Sequence, residues 1–133
     1  MATINRKTRQ FSDLNLLFTT NPSTADITKR YDEEAIKASV RNLITTKNFE
    51  RPFHPEIGCQ ITSLLFENIT PVTYQVMKKT IYDVIEKFEP RVTVLNVILE
   101  ETPDNNSVDA SIIFRINNNE RPITLKTTLQ RVR

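Results

Sequence analysis

One glycine in 133 residues leaves this backbone almost nowhere to make a reversal that only glycine takes without strain. That residue, Gly58, sits in Arg51-Pro-Phe-His-Pro-Glu-Ile-Gly-Cys59, which also holds the only histidine, His54, and the only cysteine, Cys59. Within that motif Pro52 and Pro55 precede it and keep Arg51 and His54 out of helical conformation. A stiff approach followed by an obligatory turn is therefore expected at 51–59. Two further punctuated motifs follow: Leu65-Phe-Glu-Asn-Ile-Thr-Pro71 and Glu89-Pro-Arg91.

Periodicity gives the elements around these motifs. Residues 1–12 are polar and basic without apolar spacing, which predicts a flexible arm. Residues 14–19 predict a short strand with Leu14, Leu16 and Phe18 on one face, and Asn21-Pro-Ser23 a turn. A helix is expected from Asp32, a good N-cap, with Glu33 and Glu34 on the positive end of its dipole. Ile36, Val40, Leu43 and Ile44 form its apolar stripe. A short helix fits 60–67. The longest one starts at Thr70 as N-cap with Pro71 in the first turn, runs through Val72, Met77, Ile81, Val84, Ile85 and Phe88, and stops before Pro90.

From Val92 the period changes from 3.6 to 2. Residues 92–100 are apolar on both faces, with Leu95, Val97 and Leu99 on one and Val94 and Ile98 on the other, which predicts a central strand. Val108, Ala110, Ile112, Phe114 and Ile116 mark a half-buried strand, and Ile123, Leu125, Thr127 and Leu129 another. The connections at 103–107 and 117–120 are short enough for antiparallel hairpins. The expected fold is α+β: two main helices and a short one on a small, mostly antiparallel sheet with the C-terminal strands at its edge. One domain, 13–133, follows the arm 1–12.

Composition excludes several functions. Hydrophobic residues at 38%, charged residues at 26% and a mean hydropathy of −0.38 are those of an ordinary globular chain. No run is long enough to span a bilayer, and residues 1–10 lack the apolar core of a secretory signal. The net charge of +2 divides into +3 over 1–30, −3 over 31–101 and +2 over 102–133, too weak a basic stripe for nucleic acid. One cysteine forms no internal disulfide and suits a reducing cytosol. No Cys-x-x-Cys, paired His or EF-hand spacing offers a metal site, and one glycine does not make a phosphate loop. No cofactor is expected. His54 reads as a loop residue and Cys59 as a small apolar packing residue.

The three motifs in this order resemble the small baseplate wedge subunit of contractile-tailed phages that starts the tail sheath. That family is related to a type VI secretion baseplate component and has carried a lysozyme-like label. The resemblance is dense over 51–92 and looser over 14–46. It implies a structural virion protein, assembled in the host cytoplasm into a six-fold baseplate. Its implied partners are other wedge proteins, the tail sheath and the tail tube region, with no nucleic acid and no membrane. Arg51, Phe53, Glu67, Asn68, Glu89 and Arg91 would meet wedge partners.

Each motif also has a plainer reading. Glu89-Pro90-Arg91 is either a helix stop with an exposed ion pair or a rigid corner projecting both charges toward a partner. Phe53 either caps the core or belongs to a preorganised binding loop. The segment 65–68 reads mostly as core, with Glu67 and Asn68 as its polar candidates. Ile123, Leu125, Thr127 and Leu129 lie on a strand that is either an ordinary edge or a template for a sheath strand. Carboxylates are the one remaining route to catalysis, as a peptidoglycan-degrading, lysozyme-like enzyme using Glu67 or Glu89. An unrelated adaptor sharing a small α+β fold is a further alternative.

Overall fold

The structure is a computed structural model that describes residues 10–102, 107–117 and 119–130. Most of the expected arm, residues 1–9, lies outside them, as does most of the expected turn at 103–107. The chain divides into two compact units, the first ending at Ala38 and the second starting at Ser39.

In the first unit, β1 (Ser12–Leu14) pairs antiparallel with β2 (Lys29–Tyr31), Ser12 opposite Tyr31. The strand expected at 14–19 is therefore shorter and earlier. Leu14 ends it, and Asn15 turns the chain: its side chain donates to Thr19 and Thr28, and its carbonyl accepts from Phe18. Leu16, Leu17 and Phe18 are left exposed. The apolar spacing here was not a strand face. A turn is present over Pro22, Ser23 and Thr24, closed by the Asn21 N–H donating to Asp26.

Helix α1 (Asp32–Thr45) carries Asp32, Glu33 and Glu34 in its first turn. Asp32 has a φ of +45°, and its carboxylate accepts from the backbone N–H of Gln10 at 2.8 Å and Phe11 at 3.0 Å. The residue expected as a cap thus also ties down the start of β1. Lys37 pairs with Glu33 at 2.7 Å, the i,i+4 order that favours a helix by a few tenths of a kcal/mol. Ile36, Val40, Leu43 and Ile44 are all buried, as their spacing requires.

The second unit contains the end of α1, then α2 (Ile61–Leu64) and α3 (Pro71–Phe88), and then β3 (Val92–Thr102), β4 (Ser107–Ile116) and β5 (Pro122–Gln130). Thr70 caps α3, its hydroxyl accepting from Thr73 N–H at 3.2 Å, with Pro71 in the first turn. Thr73, Met77, Ile81 and Ile85 recur every four residues and are buried. Each of the three large apolar ones contributes about 2 kcal/mol of burial. Val72, expected on this stripe, is exposed because it falls one position off that row.

The three strands form one antiparallel sheet in the order β3-β4-β5, so β4 is central and β3 is an edge. The expectation of a central strand at 92–100 fails, and its two-faced pattern has its cause in the pairing with β4. The register between β3 and β4 shifts between Val94 and Asn96, leaving Leu95 as a bulge. One extra residue reverses the parity of everything after it. Val92 and Val97 are buried while Leu95 and Ile98 are exposed, so the two apolar faces in the sequence are one face interrupted. In β4, Val108, Ala110, Ile112, Phe114 and Ile116 are buried, and in β5 Ile123, Leu125 and Leu129.

Candidate functional site

The helix-to-sheet corner is built around Glu89, which is 3% exposed. Its backbone N–H donates to Ile85, its carbonyl accepts from Val92, and Pro90 follows outside the helix. Arg91 folds back on it: Nε and Nη2 donate to the two carboxylate oxygens at 2.5 and 2.6 Å. The Ser39 hydroxyl of α1 donates to Oε2 at 2.5 Å. Asn117 closes the corner from the end of β4. Its Nδ2 donates to the Pro90 carbonyl at 2.9 Å and its N–H to that of Arg91 at 3.0 Å.

Glu89 thus does not project toward solvent, and the pair is not an exposed one. The chain brings α1, α3 and β4 to this corner, and a buried carboxylate needs several donors to stay charged. Burial pushes its pKa up, but the hydrogen bonds from Arg91 and Ser39 and the Arg91 charge outweigh that and hold it below the ordinary glutamate value. A general acid needs the opposite shift. Ser39 was missed in the sequence; its signal was a hydroxyl flanking the stripe between Ile36 and Val40.

The loop at 46–60 is built differently. Gly58 is buried against backbone: a Cβ there would lie 2.7 Å from the Lys47 carbonyl carbon and oxygen. The neighbouring Cys59 N–H donates to Thr46 at 2.8 Å, and Phe49 N–H to Pro55 at 3.0 Å, closing the loop on itself. Glu50 accepts from Lys47 N–H, and His54 contacts Glu56 at 3.2 Å. Cys59 is buried, which pushes its thiol up to about 11 and makes it a poor nucleophile.

Phe53 does not cap the core. It is 96% exposed and Phe49 is 81% exposed, with φ of +69° and +67°. A left-handed conformation costs an L-residue about 1–2 kcal/mol, so two bulky rings are held in water on strained backbone. Arg51 is exposed between them. Across an open groove of about 390 Å³ lies Phe66, which is also exposed, so the 65–68 segment buries Leu65 alone. Glu67 and Asn68 are exposed, and the Asn68 carbonyl accepts from Thr73.

The remaining candidates, Ile123, Leu125 and Leu129, point into the core, and Thr127 is half-buried. Only the main chain of β5 is presented at the edge, where no further strand pairs among the described residues. No group of three or more His, Cys, Asp or Glu placed to hold a metal occurs among the described residues, and none of their helices is long and apolar enough to cross a membrane.

These features define a small α+β module whose buried carboxylate braces a corner and whose unusual surface is apolar. Residues 30–121 match the family of baseplate wedge protein gp25, and the chain belongs to that family. The gp25 baseplate wedge protein of Enterobacteria phage T4 is 33% identical over 94 residues, 71% of each chain. The fold is similar to a Geobacter sulfurreducens protein described as a candidate tail lysozyme (TM-score 0.70, 23% identity, 76% of this chain and 92% of that one). It is also similar to a chain of the anti-feeding prophage baseplate (0.65, 20%, 92% and 87%) and to one of the type VI secretion baseplate complex (0.55, 18%, 70% and 89%). The protein has a structural role in a tail baseplate, in association with other baseplate proteins.

Proposed function

We propose that this subunit joins the baseplate wedge to the tail sheath and starts sheath assembly by adding a sheath strand to β5. The observation that carries this is the contrast between the sheet's two edges. β3 is bulged at Leu95 and bears Glu100 and Glu101, features that discourage pairing with another chain. β5 pairs with β4 without a register shift from Ser107↔Gln130 to Arg115↔Pro122, and its outer main chain has no strand partner among the described residues. Its buried side chains hold it rigid, which lowers the entropy lost on pairing.

Arg51, Phe53, Glu67 and Asn68 then face other wedge proteins near the tail tube, with Arg91 at the corner that Glu89 fixes. The subunit acts in six copies per baseplate, assembled in the host cytoplasm. The subunit does this without enzymatic activity. A depressed Glu89 pKa and a raised Cys59 pKa favour that reading over a cell-wall hydrolase.

Deleting β5 would remove Ile123, Leu125 and Leu129 from the core, so the test blocks the edge instead. A single proline at a β5 amide facing away from β4 removes a donor without removing core. Mixed with sheath protein, the native subunit should seed ordered sheath growth and a folded edge-proline variant should not. Equal growth from both would overturn the template.

A further inference from the structure

The groove beside the 46–60 loop has a mostly apolar lining with a cation at its border. Phe49 and Phe66 flank it, Cys59 and Thr62 contribute to its lining, and Lys47 stands at one side. Arg51, two residues after Phe49, is within about 7 Å of it along the chain. Neither Lys47 nor Arg51 forms an ion pair among the described residues. The nearby Glu50 is turned onto Lys47 N–H, and Glu56 is held by His54. Asn48 also lines the groove, and its buried side-chain oxygen has no hydrogen-bond partner. Such an unmet acceptor costs about 1–3 kcal/mol and would be relieved by an incoming donor.

We propose that this groove receives an apolar segment of a second baseplate protein, whose carboxylate pairs with Arg51 and Lys47. The proposal rests on the wedge-facing orientation given above and adds the chemistry of the partner. Three features select the occupant. Exposed rings on strained backbone stay stable in water but gain when covered, as interface anchors do. The two cations select an acid over a base. A protein segment can place one carboxylate at Lys47 and Arg51 clear of Glu50, Glu56 and Glu67, which a broad anionic lipid surface cannot, so the occupant is protein rather than membrane. The segment's own N–H or hydroxyl would reach Asn48 once its amide rotates outward.

The test uses baseplates assembled with the full chain carrying a photo-cross-linking residue at Phe49. The expected product joins it to one segment of another wedge protein, apolar and bearing Asp or Glu. Arg51→Glu should lower incorporation into the wedge by on the order of 10-fold or more. Exchanging that partner's acid for Lys should restore it. Phe49→Ser should weaken attachment by roughly 30-fold. Both variants are surface changes and should keep the native thermal midpoint. Cross-links to a second copy of this chain, to lipid or to nothing would overturn the proposal, and so would a charge swap that fails to rescue. Sheath seeding by the isolated subunit separates the two readings. Seeding intact with no cross-link sinks the groove alone, and a cross-link with no seeding sinks the β5 template alone.

Discussion

The corner at Glu89-Pro90-Arg91 and the loop at 51–59 read alike in the sequence, each with charges beside proline, and they do opposite things. In the corner a 3% exposed carboxylate accepts from Ser39 of α1 and twice from Arg91. In the loop the charges stay outside, Phe53 and the preceding Phe49 face water, and the strain sits in the backbone. The difference teaches that a proline fixes direction and leaves open what the direction meets. One motif stabilises the subunit; the other holds bulky rings in water at a cost in backbone strain.

The strongest way to break that comparison is to empty the corner. Glu89→Ala should destabilise the fold by about 3 kcal/mol, because Ser39 and Arg91 lose their shared acceptor. Denaturant unfolding measures this, and a loss under about 0.5 kcal/mol would mean the corner is ornamental. The same carboxylate gives a pH signature. Its folded pKa lies below its unfolded value, so its contribution is fully present above about pH 4.5 and is lost as pH falls through the lowered value. Stabilities of the native chain and Glu89→Gln should therefore converge on acidification, and parallel curves would contradict the assignment.

Gly58→Ala comes next, at about 2 kcal/mol, since the new methyl would meet the Lys47 carbonyl at 2.7 Å. Ser39→Ala should cost about 1 kcal/mol, one hydrogen bond to a charged acceptor with Arg91 still in place. The smallest effect has the opposite sign. Phe53→Asn should raise stability by about 0.5 kcal/mol, because Asn tolerates the left-handed region better. It should at the same time weaken attachment to wedge proteins. If stability fell instead, the strain at Phe53 would not be real.

Much of the fold was legible because it depends on local chemistry. Thr70-Pro71 set the start of α3, Pro90 set its end, and the spacing of Ile36, Val40, Leu43 and Ile44 set the buried face of α1. The alternation in β4 and β5 named their inward residues correctly. Where the reading failed, a non-local event had intervened. The bulge at Leu95 exists only against β4, so no pattern within 92–100 could separate a bulged edge strand from a central one. Residues 14–18 alternate like a strand, yet Asn15 finds Thr19 and Thr28 and turns the chain there.

The candidate site divides in the same way. Gly58 and the prolines announced a rigid turn, since allowed backbone geometry belongs to the residue itself. That Phe66 faces Phe49 across a groove and that Ser39 completes the Glu89 cluster required chain segments apart in sequence to meet. Sequence alone determined where this chain bends, caps and alternates, because those follow from sterics and hydrogen bonding over a few residues. Only the tertiary structure decided which charge is buried and which ring is left in water. Burial depends on what arrives from elsewhere in the fold, and a motif carries no record of its neighbours.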